Sequence, residues 1–260
     1  MRTVLDLSTY AGADGADGPS GYIAQAAEPA GGYLWYDTDR TPTPVNLQAA
    51  SGVTIDKTSG LGIKVDIASP TFPWADLIGT MVVDEAGANS AVLATYRGGS
   101  VREYRFGAGD KIDLRYHLPH DYAPGTDIYI HVHWSHNGTA ITGTGTFSGT
   151  VAATYAKGHQ QASFGAEVSV TISNTNITTG NTPQYWHRIE EVQLSNNGGT
   201  GGKLDTSLLE VDGLLLVNFT LDTLPTITGG TTAELFIHAI DIHYQSTGIG
   251  TKGKAPNFYS

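Results

Sequence analysis

A chain of 260 residues with 33 Gly, 13 Tyr and only 15% charged residues is too poor in Glu, Lys and Arg for a helical bundle or coiled coil. A formal charge of −11 argues against a sequence-independent nucleic-acid binder, which needs clustered Lys and Arg. Cysteine is absent, which removes disulfide frameworks, zinc-thiolate sites, iron–sulfur clusters and thiol nucleophiles together.

Residues 1–60 read as an extended N-terminal arm or a small subdomain. Met1–Leu7 leads too soon into acidic, Gly-rich sequence to be a secretory signal, so synthesis in a cytoplasm is expected. Ala11–Gly21 has nothing to bury, and the alternate prolines of Thr41-Pro42-Thr43-Pro44 enforce extended backbone. Between them Gly32-Tyr33-Leu34-Trp35-Tyr36 is an aromatic cluster that needs a surface to sit on.

Short β patterns then recur, bounded by turn residues: Leu61–Ile67, Ala91–Arg97, Val101–Phe106, Asp127–Trp134, Thr144–Tyr155, Glu167–Ser173, Trp186–Leu194, Leu208–Leu221 and Ala233–Tyr244. A short helix fits near Trp74–Ile78. Asn137-Gly138 and Asp212-Gly213 tolerate positive φ and signal tight hairpins. No apolar run approaches the ~20 residues of a membrane helix. The expected fold is all-β, a jelly-roll-type antiparallel β-sandwich over residues 61–245, followed by a C-terminal tail at 246–260.

The densest chemistry lies between His117 and His136. Strand alternation puts Ile128, Ile130, Val132 and Trp134 on the core side and Tyr129, His131 and His133 on the other. Two histidines two apart on a strand can chelate one metal, and Gly125 followed by His131-x-His133 is similar to the opening of the cupin metal motif. The Glu that motif requires is missing, since Asn137-Gly138-Thr139 occupies its place, and its second half has no counterpart. Asp241 and His243, which share a face of the last strand, are the candidate substitutes. The bland reading, imidazoles hydrogen-bonded across a sheet or against a partner, is preferred, with pH sensing a third option. No metal or other cofactor is therefore assigned.

Other constellations carry less. Glu190 and Glu191 point to opposite faces of a strand and cannot act as a paired acid and base. Ser135 beside His136 has no nucleophile elbow around it, and Gly198–Lys203 lacks the order of a phosphate loop. Tyr33, Trp35, Tyr36, Trp74 and Trp186 could stack on sugars, although packing is the commoner role of such residues. No enzyme activity is expected.

Five stretches together carry a resemblance: Phe72–Gly79, Arg105–Lys111, His117–Thr139, Asp241–Thr247 and Lys254–Tyr259. The sequence resembles tailed-bacteriophage and prophage structural proteins. That resemblance implies a virion component made in the bacterial cytoplasm, with the major capsid protein or other virion proteins as partners. A capsid decoration (cement) protein is the expected role, self-associating as a homo-oligomer, a trimer by preference. Its contacts would come from Tyr33, Trp35, Tyr36, Lys252, Lys254, Phe258 and Tyr259, with no membrane or direct nucleic-acid contact. A neck, collar or tail-associated protein and a carbohydrate-binding host-adhesion module are the alternatives, and a cupin-like metal enzyme comes last.

Overall fold

The structure, a computed structural model, describes residues 72–83, 89–230 and 233–258, together with the backbone of five strands that precede them. The chain divides into two compact units, Met1–Thr71 and Phe72–Ser260.

In the first unit β1 (Ile23–Gln25), β2 (Tyr33–Tyr36) and β3 (Pro42–Val45) form an antiparallel sheet in that order, and β4 (Val53–Asp56) pairs with β5 (Lys64–Ile67). The aromatic cluster is thus the middle strand. The prolines lie on an edge strand, where a missing donor is tolerated.

The second unit holds β6 (Trp74–Ile78), β7 (Thr80–Val82), β8 (Val92–Thr95), β9 (Arg102–Phe106), β10 (Lys111–His117), β11 (Tyr129–His136), β12 (Ala140–Ile141), β13 (Gly145–Ala156), β14 (Val168–Ile177), β15 (Arg188–Gln193), β16 (Ser195–Asn196), β17 (Leu204–Asp205), β18 (Leu214–Thr223), β19 (Ile227–Thr228) and β20 (Leu235–Gln245). One sheet runs β14-β13-β18-β10-β7; the other runs β15-β11-β20-β9-β8, with β6 also paired to β20. The antiparallel pairs β13·β14, β11·β15, β10·β18 and β9·β20 are nested inside one another along the chain. A long double ribbon of eight strands has therefore been rolled up, and β11·β20 and β13·β18 close the roll. That nesting defines a jelly roll.

Burial explains the choice of strands. In β10 Ile112, Leu114 and Tyr116 are buried while Lys111, Asp113, Arg115 and His117 face water. The inner faces of the two sheets meet through Trp134, Phe147, Phe219 and their neighbours, all fully buried. Each large apolar side chain contributes roughly 1.5–3 kcal/mol by leaving water.

Three expectations need correction, and one strand was missing from the expected set. Trp74–Ile78 is not helical: it is β6, with Ala75 and Leu77 packed inward and its neighbours facing out, a period of two. Lys111–His117 is a strand that its four charged or imidazole side chains had disguised. Neither Asx-Gly dipeptide closes a hairpin. Gly138 lies after β11, where a Cβ would meet Ile227 Cγ2 at 2.3 Å, so close approach of β19 selects glycine there. Asp212 does adopt positive φ (60°), but Leu208–Val211 is not a strand; Leu208 ends a 3-10 turn that begins at Thr206, and Leu209 caps it. Gly213 is needed because a Cβ would lie 2.0 Å from the Tyr155 hydroxyl.

The C-terminal segment folds back on its own chain. Thr247 N donates to Asp121 O at 2.7 Å, and Phe258 is 2% exposed with its ring against His120 and His159. Among the described residues no helix is long and apolar enough to cross a membrane.

Candidate functional site

The outer face of the six-stranded sheet carries most of the imidazoles. Ile130, Val132 and Trp134 of β11 are fully buried, which turns Tyr129, His131 and His133 outward as alternation requires. Pairing places Glu191 of β15 and Asp241 of β20 on either side of His131. One step along, Tyr129 lies opposite His243, which in turn lies opposite Asp76 of β6. All four residues singled out as metal candidates, His131, His133, Asp241 and His243, therefore meet on one surface.

Their contacts form a row. His243 Nε2 lies 3.2 Å from Asp76 Oδ1, and His243 Nδ1 lies 3.2 Å from His131 Nε2. His131 Nε2 is 2.6 Å from Glu191 Oε2, and its Nδ1 is 3.8 Å from Asp241 Oδ2. His133 Nε2 comes within 2.6 Å of Asp241 Oδ1, while its Nδ1 meets His187 Nε2 at 2.8 Å with the two rings stacked. His238 continues the row, 2.8 Å from the Ser135 hydroxyl, which Tyr96 also contacts. Burial, then the neighbouring imidazoles of His133 and His238, holds the His187 imidazole below its ordinary pKa. Asp241 is 3% exposed, a carboxylate kept out of water beneath the imidazoles.

One tryptophan packs on this row and a second is next to it in the chain. Trp74, 48% exposed, packs edge-on to Tyr129 with centroids 5.6 Å apart and tilts over His243 at 5.1 Å. Trp186, 63% exposed, directly precedes His187 at the entrance to β15. Burial, helped by the carboxylates of Asp127 and Glu191, raises the Tyr129 phenol. Acceptors, donors and the exposed Trp74 indole thus share the outer face of one sheet.

Sequence reasoning missed Asp76, His187, His238 and the role of Glu191. Glu191 and Glu190 do point to opposite faces: Glu190 is buried on Trp134 Nε1, Arg188 and Asn174, while Glu191 faces out. His238 would fall on the core side by alternation from Ile240 and Ile242. A β-bulge opposite His133 and Trp134 inserts it as an extra residue and aims it outward.

Of the residues expected at an interface, Phe258 is buried within its own chain, which removes it from any outer surface, and Lys252 and Lys254 are exposed. Tyr33, Trp35 and Tyr36 lie in β2, and their side chains, like Tyr259, fall outside the described residues. A second group of imidazoles surrounds Asp212, with His120 and His159 at 2.9 Å and His117 at 3.3 Å. The outer face of the five-stranded sheet carries a shallow groove lined by Asp113, Arg115, Thr154, Glu167, Leu216 and Asn218, with no aromatic in it.

No family model and no curated protein matches the chain. Among solved structures it is similar to TmCBM61 in complex with β-1,4-galactotriose, at 12% identity over 66% of this chain and 89% of that one, with a TM-score of 0.26. It is also similar to a family 11 carbohydrate-binding module from Clostridium thermocellum in complex with a β-1,3-1,4-mixed-linked tetrasaccharide, at 15% identity, 75% and 96% coverage and a TM-score of 0.26. The class of this second unit, an antiparallel β-sandwich with jelly-roll connectivity, rests on its own strand pairing.

Proposed function

We propose that the sandwich is a carbohydrate-binding module of the host-adhesion kind, presenting the outer face of the six-stranded sheet to a glycan. The observation that carries this is the exposed indole of Trp74 at the His243 end of a polar row, with a second exposed indole, Trp186, next in the chain to His187 of that row. An exposed indole held in place by neighbouring rings offers an apolar face to the C–H face of a sugar. Asp76, Glu191 and the intervening imidazoles supply acceptors and donors for hydroxyl groups, and their row along the sheet suits an extended chain. The resemblance to tailed-phage structural proteins supports placing such a module on a virion. A glycan array followed by calorimetry tests the reading: a defined ligand is expected, its affinity falling at least about tenfold in Trp74→Ala and in Trp186→Ala. An array without ligands, or affinity indifferent to both substitutions, overturns it.

A second reading, a capsid decoration, neck or collar protein, is favoured by a different observation. Ile78, Val82, Val92, Leu93 and Val101 are exposed large apolar residues on or beside β6, β7 and β8, and β7 and β8 end their sheets. Apolar side chains on strand edges are a liability unless a partner covers them. A second copy of this chain, or the capsid proteins, would cover them. Light scattering after gel filtration is expected to give a closed oligomer that Leu93→Glu dissociates. A monomer that also fails to sediment with capsids rejects this reading.

A further inference from the structure

We infer that His131, His133 and Asp241 form a binding site for one divalent first-row metal ion, zinc being the best match. The inference stands apart from the glycan reading and does not need it.

Three ligand atoms converge: one imidazole nitrogen from each histidine and a carboxylate oxygen, all within 4.8 Å of one another. Ligands on one tetrahedral ion lie about 3.3 Å apart, given metal–ligand distances of ~2.0–2.1 Å, so small side-chain rotations complete the set. His133 Nε2 and Asp241 Oδ1 approach to 2.6 Å, yet both atoms are buried and neither makes an aligned hydrogen bond. Two such atoms repel one another unless a proton or a metal ion lies between them. Desolvation magnifies the penalty, because the carboxylate sits in a poorly hydrated site.

The outer partners are those that a metal-bound imidazole requires. A ligating histidine normally donates its second N–H to a carboxylate or other acceptor, which fixes its tautomer. Glu191 Oε2 is 2.6 Å from His131 Nε2, which leaves Nδ1, the nitrogen facing Asp241, free to ligate. His187 Nε2 is 2.8 Å from His133 Nδ1, which leaves Nε2 for the same purpose.

Competing clusters lack one part or another. Asp76, His131 and His243 also come together. That set requires the His131 nitrogen already opposite Glu191 or its exchange, and Asp76 is exposed and well hydrated. Around Asp212 three imidazoles all address one carboxylate, an ion-pair arrangement in which the nitrogens do not converge on a shared point. Two imidazoles and one carboxylate disfavour Ca²⁺ and Mg²⁺, which take oxygen ligands, and suit Zn²⁺, Ni²⁺ or Co²⁺. Three protein ligands on a sheet surface leave the fourth position open to water or to an oxygen donor of a bound molecule.

Calorimetry with ZnCl₂ on the full chain, and Co²⁺ absorption as a geometric probe, test the assignment. One equivalent per chain is expected, with the intense visible bands of a four-coordinate cobalt site. His133→Ala and Asp241→Asn lose that equivalent. Glu191→Gln keeps the cobalt spectrum but binds ~10–100-fold more weakly, the usual effect of removing an outer partner. His243→Ala binds as the parent does. Nitrogen chemical shifts of His131 and His133 in the unaltered chain give a readout that needs no variant: zinc moves Nδ1 of the former and Nε2 of the latter. Absence of stoichiometric binding, unchanged binding in correctly folded His133→Ala or Asp241→Asn, or shifts confined to His243 overturns the site.

Discussion

Trp134 lies flat against Phe147, one ring from each sheet, with centroids 5.0 Å apart and 15° between their planes. Both side chains are fully buried, so this stack helps hold the two halves of the sandwich together. Phe147→Ala removes the partner ring and leaves a cavity between sheets that cannot easily collapse. The expected loss is about 3–5 kcal/mol. In urea denaturation the midpoint should fall with an unchanged slope. A loss below about 1 kcal/mol would show that the sheets are held mainly elsewhere.

The same tryptophan leads to the open edge of the sandwich. Glu190 Oε1 accepts from Trp134 Nε1 at 3.3 Å and from Arg188 at 3.1 and 3.2 Å, and Oε2 accepts from Asn174 at 2.9 Å. Glu190→Gln keeps the shape but removes the charge, leaving Arg188 without its counter-ion beside the core. A cost of about 1.5–3 kcal/mol is expected, the usual range for hydrogen bonds to charged groups. Because the pair is shielded, the difference between parent and variant should change little between low and high salt. A difference that salt abolishes would mark the bridge as a solvated surface pair.

How much of this was legible in the sequence depends on the range of the interaction. Ile130, Val132 and Trp134 alternate cleanly with Tyr129, His131 and His133, a period set by the strand itself, and the structure keeps both faces as read. The spacing of Asp241 and His243 gave their shared face for the same reason. That these two residues lie against β11 follows from the register of β20, fixed only when the nested ribbon closes over more than a hundred residues. Local pattern cannot encode that. Glu191 is a lone charge until β15 pairs with β11, and His238 lies on the wrong side of its alternation until the bulge is known. Gly138 and Gly213 were read for their backbone freedom, whereas distant side chains, Ile227 and Tyr155, occupy the space a Cβ would need.

Asp212 anchors the end of the molecule where the C-terminal segment returns. Burial pushes its carboxyl upward, but the His159 hydrogen bond and the charges of His120, His117 and His159 outweigh it, and the net pKa lies below the ordinary value. A carboxyl depressed in the folded state contributes stability that is present above its unfolded pKa and lost as pH falls through the folded one. Asp212 therefore adds to acid sensitivity below about pH 4. Asp212→Asn tolerates the same positive φ and removes the charge. Its stability should be lower at neutral pH and should decline less steeply on acidification. His120 also contacts Thr251, and Phe258 packs on His120 and His159, so cleavage after Lys252 and Lys254 by trypsin should accelerate severalfold. Unchanged cleavage would show that the segment is held by Phe258 alone.

Alkaline stability should be limited by phenols. Tyr116 is raised well above its ordinary value by burial and then by Asp241, and it donates to Ile240 O at 2.9 Å. Burial lifts Tyr155 to about 12 against an opposing hydrogen bond from Glu210, and burial with Asp121 lifts Tyr244 to about 12. In the unfolded chain each ionises near pH 10, so between pH 10 and the folded values only the unfolded state loses these protons. The stability these groups contribute is thus complete below pH 10 and is lost above it, by ~1.4 kcal/mol per pH unit for each phenol. Three acting together give ~4 kcal/mol per unit between pH 10 and about 12, so the phenolate absorbance of these three should appear in one cooperative step coincident with loss of β-sheet circular dichroism. Tyr155→Phe removes one of the three and should make the alkaline decline shallower. It should also lower neutral stability, because the hydroxyl donates to Glu210 O at 3.0 Å and accepts from Glu210 N at 2.8 Å. Phenolate absorbance that reaches the value for all 13 tyrosines while the sheet signal stays constant would show these hydroxyls to be open to solvent in the native state.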